Sequence, residues 1–270
     1  MLHEKLVPDV AQVKAVFDAI LGGTEAPPDP AMDGYYAQQL LQFLENEVPD
    51  DADLPRFEFT LFPLLHDNEP STALYRLLAR DAMEFVRLIQ AIYRAEGEPK
   101  RSPSANDQAF GHLAFRVLRG WTTLPGQRDD GSIDSDVLFD WVRTARLALS
   151  DSGRAHVGDE QIGEVLAASP PGLDGVWPAE AVRDVIDTIG SVRIDTGLNI
   201  GRSNRRGITS RGAFEGGTKE RALETRYRAD ADAIATRWPR TARVLRGIAD
   251  SYRDEARAHD SEAEGWSDEG

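Results

Sequence analysis

The segment Arg56-Phe57-Glu58-Phe59-Thr60-Leu61-Phe62 decides the fold class, because it is the stretch whose pattern most resembles a β-strand. Its apolar residues alternate with polar ones, as on a half-buried strand. Helical spacing is satisfied as well, by Phe57, Leu61, Leu64 and Leu65. No second segment alternates convincingly, and an isolated strand has nothing to pair with. We therefore predict a helix here, bent at Pro63, and an all-α fold.

On both sides of this segment, apolar residues recur every three or four positions, as on one face of a helix. Two clear stripes consist of Leu138, Trp141, Val142, Ala145 and Leu149, and of Leu245, Ile248, Ala249, Tyr252 and Ala256. Ser104 and Asp107 have the spacing of a helix-capping pair. The pattern predicts roughly ten to twelve helices in an irregular bundle or an α-solenoid-like stack. No fixed-length repeat marks a regular solenoid.

Composition narrows the class of protein. The 270 residues contain no Cys, which excludes disulfides, a thiol nucleophile and Cys-ligated zinc. A chain of this length can bury a core without such cross-links. The first residues lack a signal-peptide pattern, and no apolar run approaches the length of a membrane span. We expect a cytoplasmic protein that does not insert into a membrane.

The formal net charge of −15 is distributed unevenly, since residues 1–70 alone carry a net charge of −11. The polar, proline-punctuated stretch 96–103 is the best candidate for a boundary between two lobes. We predict an acidic N-terminal helical lobe at 1–100 and a C-terminal helical lobe at 101–264. Within the second lobe we expect a Gly/Arg-rich loop at 197–217, and after it a disordered acidic tail at 265–270. The stretch 169–175 is also predicted to be a loop.

Catalytic and metal-binding motifs are not evident in the sequence. The five histidines are scattered, without the His-Glu-x-x-His or Glu-x-x-His spacing of a metal site. No Gly-x-Ser-x-Gly nucleophile elbow occurs. We therefore predict no catalytic residues, no metal and no cofactor. An all-α enzyme would need a buried acid of raised pKa lining a pocket beside the Gly/Arg-rich loop.

The most unusual stretch is 197–217, which contains four arginines and only one acid, Glu215, in an otherwise acidic chain. Glycine lets a backbone approach a ligand closely, and arginine binds phosphate or carboxylate through paired N–H groups. The stretch therefore predicts an anion or nucleic-acid contact through Arg202, Arg205, Arg206, Arg211, Gly207 and Gly212. The alternative is structural: these arginines pair with acids on neighbouring helices or on a partner chain.

Three blocks carry a resemblance to known sequences: residues 71–81, the span from Trp141 to Pro178, and the span from Trp238 to Tyr252. Together they resemble the C-terminal helical region of large, mostly uncharacterised bacterial proteins. The resemblance implies a helical module that ends a longer polypeptide, in some cases within defence or signalling systems. It supplies no catalytic residues to carry over.

The sequence therefore favours a non-catalytic helical module for protein interaction or assembly. Its expected partner is another protein or an upstream region of its parent chain, and the acidic first 70 residues would attract a basic surface. The alternative function is contact with an anion or nucleic acid through the Gly/Arg-rich loop.

Overall fold

The computed structural model describes residues 9–21, 30–65, 72–99, 102–206 and 216–268. Over these ranges the chain forms twelve α-helices and no β-strand, so the all-α prediction is confirmed. None of the helices in the described ranges is both long and apolar enough to cross a membrane. The chain divides into two compact units, residues 1–123 and 124–270.

The described residues of the first unit form six α-helices and a short 3₁₀ turn at Phe62–Leu64. The helices are α1 (Val10–Leu21), α2 (Pro30–Glu47), α3 (Leu54–Leu61), α4 (Thr72–Arg80), α5 (Ala82–Ile92) and α6 (Ala105–Gly120). The predicted helix at 56–62 is confirmed, and Pro63 lies in the 3₁₀ turn that ends it. The core is formed by side chains such as Phe17 and Phe57, whose rings lie 5.1 Å apart.

The boundary between the units differs from the expected boundary near residue 100. Helix α6 belongs to the first unit because it packs along α5. Trp121, which follows α6, lies with its ring 6.0 Å from that of Phe85 on α5. A polar linker in the sequence therefore connects two helices of one unit. The predicted capping pair of Ser104 and Asp107 is confirmed at the start of α6.

The second unit contains α7 (Ser135–Asp151), α8 (Ala155–Leu166), α9 (Glu180–Ile189), α10 (Val192–Arg205), α11 (Thr218–Ile234) and α12 (Pro239–Asp268). Helix α12 continues through Asp268, where the sequence predicts a disordered tail from residue 265. Asp187 on α9 fixes the start of α12, because its carboxylate accepts hydrogen bonds from the backbone N–H of Arg240 and Thr241.

Residues 197–205 form the second half of α10, whereas the sequence predicts a loop beginning at 197. The reason is a close contact between α8 and α10. A methyl group on Gly197 would overlap the carbonyl oxygen of Glu160, and one on Gly201 would lie 2.7 Å from the Cβ of Ala167. Glycines four residues apart therefore let two helix backbones touch. Their role is helix packing.

This contact predicts opposite effects for two Gly→Ala substitutions inside helices. Alanine stabilises a helix interior more than glycine does. A methyl group on Gly247 of α12 would have nothing within 4 Å of it, so Gly247→Ala should raise the free energy of unfolding by about 0.5–1 kcal/mol. Gly197→Ala should lower it by about 1–3 kcal/mol, since the new methyl group forces α8 and α10 apart. Urea unfolding followed by circular dichroism measures both. Equal effects of the two substitutions would contradict the proposed role of Gly197.

Candidate functional site

Arg202, predicted to contact an anion, lies against two aromatic side chains of the second unit. Its guanidinium carbon is 4.7 Å from the ring centre of Trp177 and 5.9 Å from that of Tyr227. Its Nε donates a hydrogen bond of 2.5 Å to the hydroxyl oxygen of Tyr227. Cation–π contacts of this kind hold an arginine in place inside the fold. Arg202 therefore connects helix α11 with the loop that precedes α9.

Arg206 pairs with acids on two neighbouring helices. One guanidinium nitrogen donates to the buried carboxylate of Glu220 on α11, and the other donates to Glu255 on α12 over 2.9 Å. The same guanidinium lies 4.9 Å from the ring centre of Tyr252. For the Gly/Arg-rich stretch, the alternative to anion binding was that its arginines pair with acids on neighbouring helices. Arg206 pairs in this way.

Arg205 is half-buried at the end of α10, and burial lowers the pKa of its guanidinium, opposed by the charge of Glu164. The other predicted site residues, Gly207, Arg211 and Gly212, lie outside the described residues. The structure thus brings together Arg202 and Arg206 around the Tyr227–Tyr252 stack, whose ring centres are 5.7 Å apart. Both arginines have partners within the chain.

A second feature of this unit is the loop between α8 and α9, residues 169–179, which we call the braced loop. Its backbone closes on itself, since the N–H of Gly172 donates to the carbonyl of Val176 over 2.9 Å. The hydroxyl oxygen of Ser169 accepts the N–H of Ala179, and the indole of Trp177 donates to the carbonyl of Ser169. These bonds tie both ends of the loop together.

The centre of the braced loop is held by Arg183, a residue of α9 whose side chain is completely buried. Its guanidinium forms two hydrogen bonds to the carboxylate of Asp174, of 2.6 and 2.8 Å. It also donates to the backbone carbonyl oxygens of Val176 and Pro178. The hydrogen bonds from Arg183 lower the pKa of Asp174 to about 2. One buried cation thus fixes the loop at three points.

Leu173 lies at the tip of the braced loop and has 102% of its reference surface exposed. Its own backbone N–H donates to the carboxylate of Glu180 over 3.0 Å, so the tip is also fixed to α9. Gly172 leaves room for this bond, because a methyl group there would lie 2.5 Å from a Glu180 oxygen and the carboxylate would have to shift. The loop therefore presents one apolar side chain to solvent from a rigid backbone.

The sequence predicts only a loop at residues 169–175 and assigns no function to Leu173. One local signal exists: Leu173 is an apolar residue between Pro-Pro-Gly and Asp-Gly, with no periodic partner. The role of Arg183 has no such signal, since its contacts with Asp174 and Val176 depend on how the loop folds back on α9.

The first unit contains a buried acid, Glu58 on α3, whose side chain accepts the backbone N–H groups of Ala73 and Leu74 at the start of α4. Burial raises its pKa to about 8, and the nearby carboxyl group of Glu45 adds to the shift. Thr72 donates to Glu45 over 2.5 Å, which joins α2 to α4. Burial raises the pKa of Tyr75 to about 12, assisted by the charge of Glu58.

An all-α enzyme would need a buried acid of raised pKa beside the Gly/Arg-rich stretch. Glu58 is such an acid, but it belongs to the first unit, whereas the Gly/Arg-rich stretch belongs to the second. Within the second unit, burial raises the pKa of Asp195 and Asp230, and both lie near arginines. Asp195 is 2.6 Å from Arg240, and Asp230 is 3.8 Å from Arg226. Over the described ranges, no group of three or more His, Asp or Glu residues is arranged to hold a metal ion.

Comparisons with protein-family models, curated proteins and solved structures give no match to this chain.

The buried position of Glu58 predicts that the first unit loses stability as the pH rises. The folded chain holds the Glu58 proton more tightly than the unfolded chain, whose pKa is near 4.5. The stabilisation is therefore complete below about pH 4.5 and is lost as the pH rises through about 8. Urea unfolding should show a falling free energy of unfolding between these values, with a smaller fall in Glu58→Gln. Glu47→Gln, at an exposed acid of α2, should keep the wild-type slope.

The bracing of the loop predicts that Asp174→Asn loosens residues 170–178 without unfolding the unit. The substitution removes the charge that pairs with a buried guanidinium, and it replaces one of the two oxygens that accept from Arg183 with an NH2 group, which cannot accept. Hydrogen exchange measured by mass spectrometry should be about tenfold faster or more in this loop. Asp140→Asn, in an exposed pair with Arg143, is the matched control. Unchanged exchange in Asp174→Asn would contradict the bracing role.

Proposed function

We propose that this chain is a non-catalytic helical interaction module that binds a protein partner through the braced loop. The observation that carries the proposal is the full exposure of Leu173 at the tip of a loop whose backbone is held by Arg183, Glu180 and Ser169. A partner with an apolar pocket of the size of one leucine side chain fits this feature.

The energetics favour such a contact. Burying a leucine side chain contributes about 1.5–3 kcal/mol. A flexible loop would lose much of that gain to ordering, but a loop already fixed by hydrogen bonds does not. Single exposed apolar residues are common on helices and carry no such meaning. Leu147 on α7, which is 60% exposed, is an example of that ordinary kind.

The anion-binding alternative has less support from the geometry. Arg206 would have to leave Glu220 and Glu255 to bind an external phosphate, and Arg202 would have to leave Tyr227. Each exchange replaces an existing contact with a new one, so the gain from anion binding is small. We therefore place the protein-interaction function first.

The test compares two leucine truncations in the same unit, Leu173→Ala and Leu147→Ala. Each tagged variant and the wild type is incubated with a lysate of the source organism, and bound proteins are quantified by mass spectrometry. We expect at least one protein in stoichiometric amount on the wild type and on Leu147→Ala. Its recovery on Leu173→Ala should fall about tenfold or more, since the truncation removes most of the buried apolar contact.

Circular dichroism of both variants provides the control, because an exposed leucine contributes little to folding and neither variant should lose helix content. Equal recovery of every bound protein on the two variants would overturn the role of the braced loop. Failure to capture any protein in stoichiometric amount would overturn the interaction function itself.

A further inference from the structure

Helix α2 in the first unit has an outward side that carries no charged residue. The residues that share it lie three or four positions apart and are all exposed; they are Tyr35, Gln39, Gln42 and Asn46. We call them the α2 face. The buried residues Ala37, Leu41 and Leu44 lie on the opposite side of the helix, in the core of the unit.

Two exposed tyrosines lie at the start of the α2 face. Tyr35 is 58% exposed, and Tyr36, which follows it, is 56% exposed. Their rings meet edge to face, with the ring centres 5.7 Å apart. Each ring limits the positions of the other, so a partner would order them at a low cost in entropy. Tyrosine is also enriched at protein interfaces, where its ring packs and its hydroxyl forms hydrogen bonds.

The polar groups of the α2 face are available to a partner. Over the described part of the chain, its four side chains form no hydrogen bond or ion pair. Phenol and amide groups donate and accept hydrogen bonds, and removing them from water costs less than removing a charge. Charged residues make up 29% of the chain, yet none lies on this face over three helical turns. The face is therefore suited to burial against another molecule.

The charge around the α2 face is negative. Residues 15–55, which include the whole of α2, contain nine acids and no Lys, Arg or His. Helix α2 packs mainly against α1, α3 and the 3₁₀ turn, whose only bases are Lys14 and Arg56. Lys14 lies 2.9 Å from Asp51. Arg56 lies 2.6 Å from Asp18, so both bases are already paired with acids of the unit.

One further base, Arg76 of α4, reaches the region beyond the end of α2. Its guanidinium donates to the carbonyl oxygen of Pro49 over 3.1 Å. At about 1.5 Å per helical residue, Pro49 lies about 20 Å from Tyr35 along the helix. That separation exceeds the Debye length of roughly 8–10 Å at physiological salt, so Arg76 has little effect at the tyrosine end of the face.

We propose that the α2 face binds a basic segment of a protein partner, with Lys or Arg side chains on the tyrosine rings and on the amide oxygens of Gln39 and Gln42. A tyrosine ring attracts a cation held over its face, and an amide oxygen accepts an N–H group. The surrounding acids attract the segment and orient it. The proposal rests on the interaction function and adds to it a second surface, separate from the braced loop.

A basic protein segment fits this surface better than a nucleic acid or a second copy of the chain does. The phosphates of a nucleic acid would meet acids and no unpaired base in residues 15–55. A second copy would bring two first quarters together, each with a net charge of −11, and their repulsion would oppose the contact. A basic segment is attracted by the same charges.

The experiment measures binding of two fluorescein-labelled peptides to the full chain by fluorescence anisotropy. The basic peptide has Arg or Lys at every third or fourth position and Ala elsewhere, and the acidic peptide has Glu at the charged positions. The basic peptide should bind more tightly than the acidic one. Its affinity should fall about tenfold or more in Gln39→Lys/Gln42→Lys, which places two cations on the face.

Gln90→Lys/Gln108→Lys makes the same charge change at two other exposed glutamines of the first unit, and should leave the affinity within about threefold of the wild type. Tyr35→Ser/Tyr36→Ser keeps the charge and should weaken binding by about threefold to tenfold. Circular dichroism should show the same helix content in all three variants, since only exposed side chains change.

The proposal is overturned if the basic peptide does not bind, if the two lysine variants weaken it equally, or if the tyrosine variant binds it as tightly as the wild type. Analytical ultracentrifugation tests for a second copy, and a dimer that dissociates in Gln39→Lys/Gln42→Lys would also overturn the proposal. Loss of partner capture in Leu173→Ala alongside any of these results would leave the proposed function standing.

Discussion

The backbone contact between α8 and α10 is the constraint on which the second unit depends. Gly197 and Gly201 lie against Glu160, Glu164 and Ala167 so closely that no larger residue fits. In the same helix, Arg202 contacts α11, and Arg206, which follows its last turn, contacts α11 and α12. Helix packing therefore explains both the glycines and the arginines of a stretch that, in sequence, resembles a ligand-binding loop.

The buried guanidinium of Arg183 has a similar organising effect on the braced loop. A buried charge is costly unless it is paired and hydrogen-bonded, and Arg183 meets that condition through Asp174 and the carbonyls of Val176 and Pro178. The loop can therefore adopt few conformations other than the one that presents Leu173. The polar network inside the unit thus determines the shape of an apolar feature outside it.

The two units use their charged residues differently. In the first unit, Glu58 is buried at the start of α4 and is stabilised in its protonated form, while Arg116 and Arg119 lie exposed over phenylalanine rings. In the second unit, Arg202 and Arg206 are bound to residues of the fold itself.

The all-α class, the helix at 56–62 and the cap at Ser104 could be predicted from the sequence, because helical periodicity and capping depend on residues within a few positions of each other. The sequence could not show that Gly197 lies within α10 against the backbone of α8, that Arg206 binds Glu220, or that Leu173 is exposed at a fixed tip. Those outcomes depend on residues brought close by folding, and their separation along the chain leaves no periodic signal.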